Sequence, residues 1–161
     1  MTRSLGFWGV AFLLPILHFL LHVGLGLGAW APDLLTVAVL VIAREVRSGV
    51  AAGTGFGLGL LADAFSVLSF GANALALTVV GILGARSRDL FVGESVLFLT
   101  FYLVLGVWLR WVIRWLASGG RLGEGAARVL LMEAPVAAFY SAAVGTVILL
   151  MTGAWRREPV R

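Results

Sequence analysis

The sequence predicts an all-α integral membrane protein that forms a single membrane-embedded domain. Of its 161 residues, 61% are hydrophobic and only 12% are charged, whereas a typical soluble domain has roughly 25% charged residues. The mean hydropathy is +1.04, and the apolar residues form long runs without the alternating polarity that is typical of strands. Since no stretch is polar enough for a separate aqueous domain, the whole range 1–161 is assigned to this domain.

Polar or glycine- and proline-containing breaks divide the chain into six apolar segments. Long apolar runs are typical of transmembrane helices, so each segment is interpreted as one span of a six-helix bundle. The predicted spans are approximately 5–29, 33–46, 49–67, 71–86, 90–117 and 127–152.

The first two spans differ in length. The run 5–29 is much longer than the apolar core of a signal peptide, about 7–15 residues, and is therefore predicted to be a retained helix. Span 2 follows Pro32, which suits the first turn of a helix, and begins at Asp33, a carboxylate that suits the positive end of the helix dipole. Span 2 covers only about 21 Å of a hydrocarbon core that is roughly 30 Å thick.

Spans 3 and 4 are rich in small residues, and span 4 is, like span 2, a short helix. Span 4 covers about 24 Å, and both short helices run from outside to inside. If their inner ends reach the cytoplasmic interface, their outer ends stop below the external surface. We therefore expect an outward-facing dent, since short segments in a helix bundle are typical of binding sites.

Spans 5 and 6 carry arginine and small residues at their outer halves. Span 5 ends in WLRWVIRW, where Arg110 and Arg114 are predicted to extend toward the interface rather than lie buried. Within span 6, Glu133 begins a stripe that continues with Ala137, Ser141 and Gly145.

The arginines predict the orientation. All twelve basic residues are arginine, and cytoplasmic loops carry more of them than external loops do. With six spans, both termini share one side, and this side collects Arg3, Arg44, Arg47, Arg86, Arg88, Arg156, Arg157 and Arg161. The opposite side holds Arg110, Arg114, Arg121 and Arg128. Both termini are therefore predicted to be cytoplasmic.

Several function classes are disfavoured. The isoelectric point is near 11.0, but the arginines are scattered at span ends, so nucleic-acid binding is not expected. The chain has no cysteine, and the pair His18 and His22 lacks the further ligands of a metal site. No nucleophile, base or phosphate-binding motif is present. We predict no enzyme activity, no catalytic residues, no metal and no cofactor.

The glycine-rich third span predicts close helix packing. At about 100° per residue, Gly55, Gly59 and Asp63 share one stripe of the helix, and Gly49, Gly53 and Gly57 share the adjacent stripe. Small residues at such spacing let a second helix approach closely in a membrane.

Two surfaces are therefore predicted to pack against a partner helix, and the sequence does not choose between them. These are the glycines Gly49, Gly53, Gly55, Gly57 and Gly59 on span 3, and the residues Ala137, Ser141 and Gly145 on span 6.

Ionisable residues collect in the outer half of the bundle. A carboxylate inside a span is costly unless it is paired or buried against protein, so Asp63 is interpreted as a structural or partner-facing polar anchor. Pairing between external acids and the arginines of span 5 is a further hypothesis. The residues predicted to form polar anchors or an outer pocket are His22, Asp33, Asp63, Arg110, Arg114 and Glu133.

The segment GTGFGLGLLADAFSVLSFGANALA, residues 53–76, resembles the central motif of the MreD family of bacterial rod-shape-determining membrane proteins. The shared features are GTGF, the following glycine, Leu61, Asp63, Ser66 and Gly71. The resemblance implies a multi-pass protein of the bacterial cytoplasmic membrane, with a bundle similar to the S components of energy-coupling-factor vitamin transporters. It also implies a scaffold role in cell-shape maintenance and lateral-wall peptidoglycan synthesis.

The partners implied by this resemblance are MreC, through its transmembrane helix, and more distantly MreB, RodA and its transpeptidase. Membrane lipid is the surrounding medium. Two alternatives stay open. One is an S-component-like vitamin-binding subunit, and the other is a proton-coupled carrier that uses Asp63 and Glu133.

Overall fold

The computed structural model describes residues 5–66, 70–87, 95–119 and 128–154, and within these ranges it contains helices and no strands. The helices are α1 (Leu5–Phe19), α2 (Leu34–Ala43), α3 (Ser48–Ala64), α4 (Ala72–Ser87), α5 (Val96–Ala117) and α6 (Ala134–Thr152). The all-α prediction is therefore confirmed for the described residues.

Irregular turns extend the first and last helices. A π-helical turn, Leu20–Gly24, continues α1, and a second π-helical turn, Val129–Glu133, precedes α6. The predicted first span, 5–29, was too long, because Gly26 and Gly28 have φ angles of 63° and 51°. These left-handed conformations suit glycine but interrupt a right-handed helix.

Among the described residues, three helical segments are long and apolar enough to cross a membrane. They are Gly6–Gly24, Val96–Ala117 and Val129–Thr152. The remaining apolar helices are shorter, and α2, with 10 residues, covers only about 15 Å. The structure therefore supports a membrane protein, while the six predicted spans and their orientation stay predictions.

Helix α2 lies at the centre of the bundle. All ten of its residues are buried, and each of the other five helices contacts it. Leu34, Leu40, Leu103 and Leu149 are among the fully buried core side chains. A helix this short is marginal on its own, so packing by its neighbours stabilises it.

Helices α3 and α4 form the most extensive helix pair. Their backbones approach so closely that a Cβ atom added at Gly81 would lie 2.6 Å from the Ala51 carbonyl oxygen. A Cβ at Gly55 would meet the Leu77 carbonyl group in the same way. The small residues of α3 therefore build a tight pair within the chain.

Parts of the topology prediction fall outside the described residues. They include both termini, the start of span 5, the beginning of span 6, and Arg3, Arg88, Arg121, Arg156, Arg157 and Arg161.

Candidate functional site

One end of the bundle gathers polar side chains from all six helices. The helices alternate in direction, so the last turns of α1 and α3 lie beside the first turns of α2, α4 and α6. We call this region the Asp33 end, after the residue that precedes α2.

Asp33 caps the central helix. Its Oδ1 accepts a hydrogen bond from the Thr36 backbone N–H at 3.1 Å, and its Oδ2 accepts one from the Thr36 hydroxyl at 2.6 Å. The Asp33 backbone N–H donates to the Ser141 hydroxyl oxygen at 2.9 Å. The predicted helix start is therefore correct, since an N-cap aspartate satisfies backbone N–H groups that have no partner within the helix.

Arg110 forms a buried ion pair with this capping aspartate. Its Nη1 donates to Asp33 Oδ2, and the two side chains are only 12% and 9% exposed. The His18 Nδ1 lies 4.0 Å from Asp33 Oδ1. The prediction that Arg110 extends to the interface is therefore wrong, because a buried carboxylate holds its guanidinium inside the bundle.

Asp63 caps helix α4 from the end of helix α3. Its Oδ1 accepts from the Asn73 backbone N–H at 3.1 Å and from Asn73 Nδ2 at 2.9 Å, and its Oδ2 accepts from the Ala74 backbone N–H at 2.9 Å. The residue is 1% exposed. Two backbone donors and the positive end of a helix dipole stabilise this carboxylate. Asp63 therefore acts as an internal anchor between α3 and α4.

Asn73 joins the two carboxylates. Its Oδ1 accepts a hydrogen bond from Arg110 Nη2 at 3.0 Å, while its Nδ2 donates to Asp63. A continuous chain of contacts thus runs from α3 through α4 and α5 to α2, and from Asp33 to α6 and α1. We call the residues that make these contacts the polar network; they are His18, Asp33, Thr36, Asp63, Asn73, Arg110 and Ser141.

An open cavity of about 1200 Å³ lies beside the polar network. Charged and aromatic side chains share its wall, among them His22, Trp30, Phe65, Arg114 and Tyr140. The rings of His18 and His22 stack with centroids 4.0 Å apart. The cavity lies at the end of the bundle where the sequence predicts a dent.

The structure brings five of the six predicted polar residues to this cavity. His22, Asp33, Arg110, Arg114 and Glu133 line it, while Asp63 lies beneath it, in the contact with α4. Of the hypothesised pairs between external acids and span 5, Asp33–Arg110 forms. Glu133 instead pairs with Arg128, at 3.3 Å and largely exposed.

The two glycine stripes of α3 have different environments. Gly55 and Gly59 are buried, and a Cβ at Gly59 would lie 2.7 Å from both the Ala74 nitrogen and the Asn73 carbonyl oxygen. The prediction that these two glycines pack against a partner is therefore corrected, because the backbone of α4 already occupies that space.

The small residues of α6 are also largely used within the chain. Ser141 and Gly145 are buried, and a Cβ at Gly145 would lie 2.9 Å from a Val37 methyl group. Ala137 is half-buried and lines the cavity. The predicted partner surface on α6 therefore packs mainly against the central helix.

The other stripe of α3 stays open. Gly49, Gly53 and Gly57 are exposed, and apart from the adjoining backbone of α3 no described atom lies within 4 Å of a Cβ added at any of them. At about 100° per residue the stripe lies between two exposed side chains, Val50 and Phe56. It therefore forms a shallow groove, which we call the outer glycine groove.

Sequence reasoning missed Asn73 and Thr36 as members of the polar network, and it treated Ser141 only as a small residue. An asparagine in the apolar segment after Gly71 is a usable signal, since buried amides need hydrogen-bond partners. The spacing of Asp33 and Thr36 is another, since a capping residue bonds the N–H three positions later.

Comparison of the chain with known protein families, curated proteins and solved structures finds no match.

Proposed function

We propose that this chain is a six-span scaffold of the bacterial cytoplasmic membrane, similar to MreD, which holds the transmembrane helix of MreC. It would thereby support the complex that maintains cell shape and builds lateral-wall peptidoglycan, together with MreB, RodA and its transpeptidase. The proposed topology has both termini in the cytoplasm, as the arginine distribution favours. The motif in residues 53–76 supports the family assignment.

The observation that carries this proposal is the outer glycine groove. Gly49, Gly53 and Gly57 repeat every four residues along an exposed helix face, which is the pattern of close helix–helix contacts in membranes. The adjacent stripe of α3 is fixed to α4 through Gly59 and Asp63. A rigid helix pair thus presents a surface without side chains to a neighbouring helix.

We predict that Gly53→Leu abolishes co-purification of MreC from bacterial membranes while leaving the folded chain intact. The leucine would fill the groove, and beyond the adjoining backbone of α3 no atom of the described residues lies within 4 Å of the added Cβ. Gly9→Leu is the matched control, because Gly9 is an exposed glycine of α1 whose added Cβ likewise has no described atom outside its own helix within 4 Å. Full recovery of MreC with Gly53→Leu would contradict the docking surface.

The cavity favours a second candidate function, a vitamin-binding subunit similar to the S components of energy-coupling-factor transporters. Its volume of about 1200 Å³ accommodates a small molecule, since ligand pockets usually measure about 300–1000 Å³. Mass spectrometry of compounds released from the purified protein tests this candidate. A stoichiometric vitamin would favour it over the scaffold.

A further inference from the structure

Two buried arginine donors lie one helical turn apart on α5. The Nε atoms of Arg110 and Arg114 are inaccessible, and neither has a hydrogen-bond partner within the described ranges. Buried N–H groups almost always have an acceptor. Both arginines also line the cavity and are partly exposed, so a ligand in the cavity can contact the accessible part of each side chain, although not the inaccessible Nε atoms.

The charges of the cavity wall favour an anion. Arg110 pairs with Asp33, and Arg128 pairs with Glu133. Arg114 pairs with no carboxylate in the part of the chain that the structure describes. Among the residues that the structure describes, three arginines therefore face two carboxylates along this wall. A guanidinium group binds phosphate or carboxylate oxygens through two parallel hydrogen bonds.

The rest of the wall is apolar and open. Trp30, Phe65, Met132 and Val136 line the cavity and are exposed. The volume of about 1200 Å³ exceeds that of usual sites for drug-sized ligands, about 300–1000 Å³. A small inorganic anion would leave most of this space and the apolar surface without contact.

We propose that the cavity binds an anionic amphiphile, with its phosphate head group at Arg114 and its apolar part along the aromatic wall. Such a ligand is a membrane phospholipid or a soluble organic phosphate, and the exposed apolar rim favours the lipid. The proposal is independent of the outer glycine groove, which lies on a different surface of the bundle.

Native mass spectrometry of the full-length protein in neutral detergent tests this site. The probes are phosphatidylglycerol, which is anionic, and phosphatidylcholine, which is zwitterionic. We expect the wild type to retain phosphatidylglycerol preferentially. In Arg114→Gln this binding should weaken by about tenfold, the size expected for one charge-assisted hydrogen bond. Arg86→Gln is the matched control, because it removes an exposed arginine at the opposite end of α4 and should leave binding unchanged.

A second variant tests the cavity without changing charge. Ala137→Phe fills the space beside Ala137, which lines the cavity, and should weaken phosphatidylglycerol binding to a similar extent. If Arg114→Gln does not fold, this variant decides the outcome by itself. Glycerol phosphate distinguishes a soluble phosphate ligand from a lipid. If added glycerol phosphate displaces phosphatidylglycerol, the ligand is a soluble phosphate. If it does not, the ligand is a lipid. Wild-type binding by both variants, or equal losses in Arg114→Gln and Arg86→Gln, would overturn the proposal.

Discussion

Arg110→Gln is expected to destabilise the protein by about 3–5 kcal/mol, because it leaves the Asp33 carboxylate buried without its charged partner. The same change removes the Arg110 hydrogen bond to Asn73 and thus separates the two caps of the polar network. Reversible unfolding in mixed detergent micelles, followed by circular dichroism, measures the loss. A second change, Asp33→Asn in the Arg110→Gln background, should recover part of it because the unpaired charge is removed.

The matched control for this prediction is Arg128→Gln. Arg128 also pairs with an acid, Glu133, but the two side chains are 77% and 48% exposed. Exposed pairs contribute about 0–1 kcal/mol, so this variant should unfold almost like the wild type. Equal losses in Arg110→Gln and Arg128→Gln would contradict the structural role of the buried pair.

Gly59→Leu is expected to disrupt the α3–α4 pair and to cost about 3 kcal/mol or more, at the upper end of the usual overpacking range. The added Cβ would collide with the backbone of α4 at Ala74 and Asn73, and a helix backbone cannot move aside as a side chain can. If the collision moves α4 away from α3, it also displaces the backbone N–H groups of α4 that donate hydrogen bonds to Asp63. Unfolding in mixed micelles measures this effect as well.

Gly57→Leu is the control for Gly59→Leu, since it lies two residues away in the same helix. A Cβ at Gly57 meets no described atom within 4 Å outside the adjoining backbone of α3, so we expect no loss of stability, and at most the gain of about 1 kcal/mol that replacing a helical glycine brings. The comparison separates steric collision from helix propensity, because both variants replace glycine with the same residue. A similar stability for both variants would refute the packing of the Gly55–Gly59 stripe against α4.

Composition and periodicity were sufficient to predict an all-helical chain, because both depend only on local sequence. Capping by Asp33 was predictable for the same reason, since an N-cap acts within one helical turn. The end of the first helix was harder to place. The glycines that interrupt it are tolerated in transmembrane helices as well as in turns.

The helical wheel of α3 could not predict which of its two glycine stripes packs against α4 and which stays exposed. Gly53 and Gly59 are the same residue type within one glycine-rich helix, and the position of α4 is what distinguishes their environments. The orientation of the Arg110 side chain was unpredictable for the same reason, because it also depends on residues that are distant in sequence. A long flexible side chain near a helix end reaches either the interface or a buried acid, and the acid, Asp33, lies far away in sequence.

Site-directed cross-linking from the outer glycine groove tests the proposed scaffold function most directly. The chain has no cysteine, so Gly53→Cys and Gly9→Cys each introduce a single thiol on an exposed helix face. We predict that a short cross-linker with a maleimide at one end and a photoreactive benzophenone at the other, applied to native bacterial membranes and irradiated, joins Gly53→Cys to the transmembrane helix of MreC and joins Gly9→Cys to nothing. A Gly53→Cys thiol that reacts fully with an apolar maleimide but forms no cross-link to protein would contradict the account.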